Sequence, residues 1–192
     1  YRGESTRLTH PTTLDCLAEV EILVHESKPA RACELIEGAE FDSTQKQAIT
    51  TALGPFEAKT MLRFQSSTNV EEAGTFVGAG LYGRHEGCLA DDQDADTEGP
   101  SLCAPAEAQE RGVFRAMREV YASFYGLEAY LERLRRGVDE QKVAMALLVS
   151  RAPAAAETLA NGVATVRRLE NGGYAFELLT QASAHPVSDP DG

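Results

Sequence analysis

Hydroxyl side chains and glycines are concentrated in one stretch of the chain, residues 66–83. Glycines let the backbone approach a ligand closely, and free N–H groups in a glycine-rich turn can point at anionic oxygens. Neighbouring hydroxyls add further donors, so this combination predicts a binding site for the phosphates of a nucleotide triphosphate. The residues that carry the prediction are Ser66, Ser67, Thr68, Gly78, Gly80 and Gly83.

The spacing of these glycines is compatible with more than one structure. It matches G-x-G-x-x-G, but a dinucleotide-binding fold needs a helix directly after the last glycine. Gly83 is instead followed by Arg84, His85 and an acidic loop, where no helix is predicted to begin. A Walker A motif is excluded because Gly83 is not followed by Lys and then Ser or Thr. A tight hairpin turn therefore stays open as the alternative to a phosphate site.

A longer part of the sequence resembles a known family. The residues that carry this resemblance are Leu62 to Glu71, Phe76 and Gly-Ala-Gly-Leu-Tyr at 78–82. They resemble the nucleotide-binding domain of the pyruvate phosphate dikinase and phosphoenolpyruvate (PEP) synthase superfamily, which is also described as the PEP/pyruvate-binding domain. Three later segments resemble elements that follow in the family, in the same order. They are residues 120–125, 138–149 and 161–164, so that the resemblance covers about residues 60–180.

The resemblance implies an ATP-grasp architecture, in which two α+β subdomains hold ATP between them. It also implies a phosphotransferase (a kinase or dikinase) with ATP and Mg²⁺ as cofactors, because phosphoryl transfer needs cations on the phosphates. In the family the phosphoryl group passes to a histidine of a separate swivelling domain. A phosphohistidine-bearing domain, on the same or another chain, is therefore an expected partner, and the phosphoryl acceptor stays open.

The same resemblance implies ATP-binding residues in two groups, while no catalytic residue and no metal ligand is assigned. The group expected at the phosphates is Arg63, Gln65, Ser66, Ser67, Thr68, Gly78, Ala79 and Gly80. The group expected at the adenine, near Leu148, is Val149, Ser150 and Arg151, where an edge strand can offer backbone donors and acceptors.

Several positions depart from the family. The arginine that directly precedes the Ser-Ser pair in the family is Gln65 here, and an amide donates hydrogen bonds without a charge. Arg63 lies two residues earlier, and alternation along a strand places both side chains on one face. Arg63 is therefore expected either to reach the phosphates or to form a salt bridge with a neighbouring carboxylate. The Gly-Gly-Lys-Gly stretch of the family, its Gly-Glu near the C-terminus and its later metal ligands are absent from this sequence.

Two functions of different class follow. The chain is either the ATP-binding portion of a larger phosphotransferase or a degenerate, non-catalytic module that binds a nucleotide or a partner. The retained Ser-Ser-Thr-Asn and Gly-Ala-Gly-Leu-Tyr segments favour the first, and Gln65 favours the second. Whether the chain is an enzyme stays open. A free-standing hydrolase is disfavoured because no G-x-S-x-G motif accompanies Ser66 or Ser67.

Composition excludes other classes of function. The 192 residues are 43% hydrophobic and 25% charged, which is ordinary for a globular domain with its own core. A net charge of −12 argues against nucleic acid and against an anionic membrane surface as partners. No apolar run is long enough to span a bilayer. Because the chain begins with Tyr1, we expect a fragment, a processed product or an excised domain.

The cysteines show no paired C-x-x-C spacing, which disfavours a zinc site. They are Cys16, Cys33, Cys88 and Cys103. We expect unpaired thiols, and a reducing cytoplasm is then the simplest location for the chain.

The elements that must position these residues form a predicted α+β fold. A helical lead-in over residues 1–58 precedes a partial ATP-grasp-like domain of mixed sheet and helices over residues 59–192. The predicted helix starts in the lead-in are Thr12 or Thr13 as a cap, Pro29 in a first turn and Ser43 as a cap.

The second predicted domain contains strands at about residues 60–65, 142–149, 162–169 and 174–180, of which the second is expected to be buried. The sequence Asn-Gly-Gly between the last two strands predicts a hairpin. A helix is expected between the first two strands because apolar residues recur there at helical spacing. They are Val113, Met117, Val120 or Tyr121 and Phe124.

An acidic segment precedes that helix. Residues 86–110 contain eight carboxylates and no Lys or Arg. Asp92, Asp94 and Asp96 have the initial spacing of a calcium loop, but the later positions lack the Gly and the Glu that such a loop needs. A solvated loop is therefore expected here rather than a calcium site.

Overall fold

The computed structural model describes residues 29–70, 80–94, 96, 99–153 and 159–182. Helices and strands both occur in this part of the chain, and the α+β fold class is confirmed. In chain order they are α1 Pro29–Glu37, α2 Ser43–Ala52, β1 Leu62–Thr68, β2 Arg84–Gly87, α3 Val113–Ser123, α4 Leu127–Arg135, β3 Met145–Arg151, β4 Asn161–Arg168 and β5 Tyr174–Gln181. The helix predicted after Thr12 or Thr13 lies outside the described residues. None of the helices within the described residues is long and apolar enough to cross a membrane.

The chain divides into two compact units, Tyr1–Ala152 and Pro153–Gly192. The first unit contains the four α-helices of the described residues and a three-stranded antiparallel sheet with the strand order β2-β1-β3. The second unit contains the antiparallel hairpin β4-β5. The division predicted at residue 58 stays a prediction.

Helices α1 and α2 begin for local reasons. Pro29 begins α1 as predicted, since its fixed φ suits the first turn and its missing N–H costs no hydrogen bond there. The prediction that Ser43 caps α2 is wrong, because Asp42 is the N-cap. The Asp42 carboxylate accepts hydrogen bonds from the N–H groups of Thr44 and Gln45, at 2.7 and 2.9 Å. The Gln45 side chain accepts one from the Asp42 N–H in return, and this reciprocal capping box favours the aspartate.

Strand β1 is the centre of the first unit's sheet. It pairs with β2 over residues 62–65 and with β3 over residues 62–68. The predicted strand ended at residue 65, but β3 continues the ladder beyond that point. Ser66, Ser67 and Thr68 therefore lie within β1, beyond the end predicted for this strand.

One face of this sheet packs on α3 and is called the inner face. Leu62 and Phe64 of β1 are buried there, with 1% and 0% of their surfaces exposed. The predicted apolar stripe of α3 is confirmed, and it meets these two residues through Val113, Met117 and Val120. From β3, the residues that pack against the same core are Met145, Leu147 and Val149.

The opposite, outer face of the sheet is much less covered. Alternation along the strands and the register place eight side chains on it. They are Arg63, Gln65 and Ser67 of β1, Arg84 and Glu86 of β2, and Ala146, Leu148 and Ser150 of β3. Leu148 is 57% exposed, and Met145, Leu147 and Val149 on the inner face are only partly buried, so the prediction that this strand is buried is wrong.

The acidic segment 86–110 is exposed over much of its described length, as expected of a solvated loop, but Asp91 and Asp92 depart from that expectation. Asp91 is 4% exposed, and its carboxylate accepts hydrogen bonds from the backbone N–H groups of Leu102 and Arg111 at 2.9 and 2.8 Å. Asp92 accepts one from the N–H of Val113 at the start of α3. These amide donors replace the water that a carboxylate loses on burial.

A disulfide joins Cys88 with Cys103 and closes part of the same segment. The prediction of unpaired thiols is therefore wrong for these two residues, while Cys33 is a free thiol. The two bonded residues are 15 positions apart. The two cysteines can pair only because the acidic segment folds back towards the end of β2. The spacing of the cysteines in the sequence does not indicate this folding back.

The largest fully buried side chain in the described residues is charged, and it belongs to Arg133 of α4. Its guanidinium donates to the two carboxylate oxygens of Glu140 at 2.7 and 3.2 Å. It also donates to the Phe124 carbonyl at 2.6 Å and lies 3.7 Å from the centre of the Phe124 ring. A buried charge needs such partners, so Arg133 ties α4 to the end of α3 and to the turn Glu140–Lys142.

The predicted hairpin of the second unit is confirmed. Strands β4 and β5 pair from Asn161↔Gln181 to Arg168↔Tyr174. Gly172 in the connecting turn has a φ of 82°, a conformation that glycine adopts without a side-chain clash.

Candidate functional site

The strand register assigns the predicted site residues to two faces of the sheet. Those on the outer face are Arg63, Gln65, Ser67 and Ser150. Those on the inner face are Ser66, Thr68, Val149 and Arg151. Gly80 lies in the segment between β1 and β2, and Gly78 and Ala79 lie outside the described residues. The structure therefore brings the first four together and separates their side chains from the second four.

Arg63 forms an ion pair on the outer face. Its Nε and Nη2 groups donate to the same Oε1 of Glu86, at 3.0 and 2.8 Å, and Glu86 stands directly opposite in β2. The two side chains are 23% and 28% exposed, so the pair is partly shielded from water. Of the two alternatives for Arg63, the salt bridge with a neighbouring carboxylate is present. The sequence did not indicate Glu86, since 23 residues separate it from Arg63.

Gln65 lies between Arg84 of β2 and Leu148 of β3 on the outer face. Arg84 is exposed, and among the described residues it has no acidic partner. Neighbouring strands are about 4.8 Å apart, so the row from Arg84 to Leu148 spans about 10 Å. A cation, an amide and an exposed apolar side chain thus stand in line across the sheet.

The inner-face members of the predicted site differ in their surroundings, since Val149 is partly buried and Arg151 is exposed. Val149 packs against the core, and the Arg151 guanidinium lies 5.9 Å from the centre of the Phe56 ring. Ser66 and Thr68 continue the face on which Phe64 is buried. The sheet itself lies between these side chains and any ligand on the outer face.

Asn69, the last residue of the Ser-Ser-Thr-Asn segment, holds the end of β1 against the start of β3. Its side chain donates to the Lys142 carbonyl at 2.8 Å and accepts from the Ala144 N–H at 2.9 Å. The asparagine of this motif therefore has a structural role, which its position in the motif did not reveal.

The glycine-rich segment connects two neighbouring antiparallel strands, β1 and β2. Gly80 has a φ of 84°, which favours glycine. A Cβ atom on Gly83 would lie 2.9 Å from His85 Nε2 and 3.0 Å from Ser123 Cβ, and the Gly83 N–H donates to Ser123 Oγ at 2.7 Å. Gly83 is thus required for close packing on the end of α3. A strand, not a helix, follows it, so the rejection of a dinucleotide-binding fingerprint is confirmed.

His85 contacts a carboxylate of α3 on the inner side of the sheet. Its Nδ1 lies 2.9 Å from one carboxylate oxygen of Glu119 on α3, and the other oxygen accepts from Arg115 Nε at 2.8 Å. The hydrogen bond with His85, supported by the one from Arg115, lowers the pKa of Glu119 to about 2 although partial burial opposes this. The pair joins β2 to α3. The sequence indicates only the contact between Arg115 and Glu119, because these two residues have the i,i+4 spacing of neighbours on a helix.

Carboxylates also converge in the acidic segment. Asp94, Asp96 and Glu110 each place a carboxylate oxygen within 4.8 Å of the others. A hydrogen bond with Asp96 is the main reason that the pKa of Glu110 rises to about 7. Asp92 is not in this group, because it lies at the start of α3, where burial raises its pKa to about 6. The fold therefore divides the three aspartates that share the calcium-loop spacing.

The outer face does not provide a Mg²⁺ site within the described residues. Mg²⁺ takes oxygen ligands and is usually held by carboxylates together with phosphate oxygens. Glu86 is the one carboxylate among the eight outer-face side chains, and Arg63 engages it at 2.8 Å. The outer-face side chains present thus do not supply the ligands for the metal that the resemblance implies.

The resemblance to the pyruvate phosphate dikinase and PEP synthase superfamily stays a prediction after comparison with known proteins. No family model matches this chain, and no curated protein matches it.

Proposed function

We propose that the outer face of the sheet binds ATP, and that the chain is the ATP-binding portion of a phosphotransferase of the pyruvate phosphate dikinase and PEP synthase type, with an ATP-grasp architecture. The observation that carries the proposal is the gathering of Arg63, Gln65, Ser67 and Ser150 on one face. These side chains are a guanidinium, an amide and two hydroxyls, all of which donate to phosphate oxygens. In a chain with a net charge of −12, such a group of donors favours an anionic ligand at this face.

Arg63 retains donors for a ligand despite its ion pair. Glu86 accepts from Nε and from Nη2, and a guanidinium has further N–H groups on its two Nη atoms. Glu86 nevertheless cancels much of the positive charge. A phosphate therefore gains less from Arg63 than it would from an unpaired arginine.

The adenine is proposed to lie at β3. This strand is at an edge of the sheet in the described residues, so its outer edge carries backbone N–H and C=O groups available to a base. Leu148 offers an exposed apolar surface beside that edge, and Ser150 offers a hydroxyl. Val149 and Arg151 contribute backbone groups only, because their side chains lie on the inner face.

A second function is favoured by the ion pair itself. Glu86 holds Arg63, and Gln65 carries no charge, so the predicted site has less positive charge than phosphoryl transfer requires. The alternative is a degenerate, non-catalytic module that binds a nucleotide or a partner. Phosphoryl transfer, the Mg²⁺ cofactor and a phosphohistidine-bearing partner domain rest on the resemblance alone.

The predicted cytoplasmic location rested on unpaired thiols. The Cys88–Cys103 disulfide removes that support, because such bonds persist in oxidising compartments. Trapping of thiols in freshly lysed cells tests the location. Cys88 and Cys103 that are both alkylated would support the cytoplasm, whereas a protected, oxidised pair would contradict it.

Calorimetric titration of ATP into the chain tests the proposed function. We expect Arg63→Ala to weaken ATP binding about tenfold, because a hydrogen bond to a charged group contributes about 1.5–3 kcal/mol and Glu86 already reduces the charge. We expect Gln65→Arg to tighten binding, since it adds a charge at the centre of the face. Arg135→Ala is the matched control, because this arginine of α4 is 78% exposed and belongs to another surface.

The outcomes separate the two functions. Binding by Gln65→Arg without binding by the parent protein would support the degenerate module. Absence of ATP binding in the parent protein and in Gln65→Arg would overturn the proposal that this face is a nucleotide site.

A further inference from the structure

Arg84 is a cation without a charge partner on the outer face, as far as the described residues extend. It begins β2, stands opposite Gln65 and is exposed. Glu86 lies two residues further on the same face, but Arg63 already binds its carboxylate at 2.8 Å. Two arginines therefore face one carboxylate among the outer-face side chains of the three strands.

This local excess of positive charge contrasts with the whole chain, which has 30 Asp and Glu and only 18 Lys and Arg. Arg63 and Arg84 are diagonal neighbours on adjacent antiparallel strands. Such neighbours lie about 7–8 Å apart, a separation that the oxygens of one phosphate group can bridge when two long side chains converge on it. An anion between the two guanidiniums would remove their repulsion.

We infer that Arg84 binds the phosphate oxygens of the ligand from β2 and supplies the charge that Gln65 does not. This inference rests on the proposed function and adds a residue to its site. Opposite positions in antiparallel strands have Cβ atoms about 4.5–5.5 Å apart, so the Gln65 amide and the Arg84 guanidinium can act on one phosphate together. The polyphosphate of the ligand then lies over β2 and β1, and its apolar part extends towards Leu148 on β3.

Titration of inorganic tripolyphosphate, and separately of ATP, into the full chain tests the role of Arg84. We expect Arg84→Gln to weaken the binding of both ligands about tenfold or more, because it removes a charged donor. Arg135→Gln removes the same charge from α4, and we expect it to leave both affinities within about twofold, since distant exposed charges are screened. Circular dichroism establishes that each variant is folded.

A variant that relocates the charge distinguishes a direct contact from a loss of stability. Gln65→Arg combined with Arg84→Gln moves the guanidinium to the opposite position of the same strand pair. We expect this double variant to recover the tripolyphosphate affinity of the parent protein to within about threefold.

Loss of affinity in Arg84→Gln together with recovery in the double variant would support the inference. If ATP binds and Arg63→Ala weakens it while Arg84→Gln does not, the inference is overturned and the proposed function stands. Equal losses of affinity in Arg84→Gln and Arg135→Gln would also overturn the inference, because both losses would then follow from the lower net charge of the protein and not from a contact of Arg84 with the ligand. If neither the parent protein nor any variant binds ATP, both the inference and the proposed function fail.

Discussion

The inner and outer faces of the sheet β2-β1-β3 come from the same strands but contribute differently to the protein. Phe64 is fully buried against α3, whereas its neighbour Gln65 is partly exposed beside Arg84. The inner face lowers the free energy of the folded state through apolar burial, and the outer face presents hydrogen-bond donors. Adjacent residues of β1 therefore have different roles, since Phe64 belongs to the core and Gln65 belongs to the candidate site.

The largest expected effect compares these two neighbours directly. Phe64→Ala should lower the free energy of unfolding by about 3–5 kcal/mol, because it removes a fully buried ring and leaves a cavity. Gln65→Ala should change it by about 0.5 kcal/mol or less, since no core contact is lost. Urea denaturation followed by circular dichroism measures both values. Similar losses in the two variants would contradict the division into a stabilising face and a proposed ligand-binding face.

Removing the Cys88–Cys103 disulfide tests whether the acidic segment 86–110 contributes to the stability of the fold. Cys88→Ser combined with Cys103→Ser should lower the free energy of unfolding by about 3 kcal/mol, the value given by the loop-entropy relation for a separation of 15 residues. Cys33→Ser is the control, because it removes a thiol that is not in a disulfide. Ligand affinity at the outer face should be unchanged. If an oxidised parent protein and the double variant unfold at the same urea concentration, the disulfide does not stabilise the fold.

The Glu119 carboxylate tests an ionic contribution on the inner side. Its pKa is about 2 in the folded protein, below the ordinary 4.5, so it stabilises the fold fully above about pH 4.5 and loses this contribution as the pH falls through 2. Glu119→Gln should therefore be less stable than the parent protein near pH 6, by about 1 kcal/mol because the carboxylate is partly exposed, and this difference should decrease below pH 4.5 and vanish as the pH falls below 2. Urea denaturation across this range measures the difference. The exposed Glu128→Gln serves as control, and a difference for Glu119→Gln that does not depend on pH would contradict the ion pair.

A small change in stability is expected at the Arg63–Glu86 ion pair of the outer face. Glu86→Gln should lower the free energy of unfolding by less than about 1 kcal/mol, as is usual for ion pairs near the surface. The same substitution should tighten ATP binding, because it releases the charge of Arg63 for a phosphate. Calorimetry and urea denaturation of one protein sample measure both effects. Weaker ATP binding in Glu86→Gln would show that Glu86 assists the ligand instead of competing for Arg63.

The elements that the sequence predicted correctly depend on local signals. Pro29 suits a first helical turn, the stripe on α3 repeats at helical spacing, and Asn-Gly-Gly favours the β4-β5 turn. The incorrect predictions depend on distant partners or on competition between neighbours. Asp42 displaced Ser43 as a cap because Gln45 completes a capping box.

In the candidate site, too, local features were predicted correctly and contacts between distant segments were not. Arg63 and Gln65 were expected to share a face, and they do, but no pattern in the sequence indicated which residues stand opposite them. Burial of Asp91 was also missed, because its amide donors come from residues at a distance of 11 and 20 positions along the chain.

The sequence by itself determined the type of helices α1, α2 and α3 and of strands β1, β3, β4 and β5, together with the alternation of side chains along β1, since these follow from the local conformation of the backbone. Strand β2 was not predicted, because the sequence after Gly83 was interpreted as the start of an acidic loop. Only the tertiary structure decided that Phe64 faces the core and that Glu86, Arg84 and Leu148 lie on the face of Arg63 and Gln65. The physical reason is that burial and strand register are set by packing and hydrogen bonding between segments that are far apart in the chain. The spacing of residues within one segment of the sequence contains no information about those contacts.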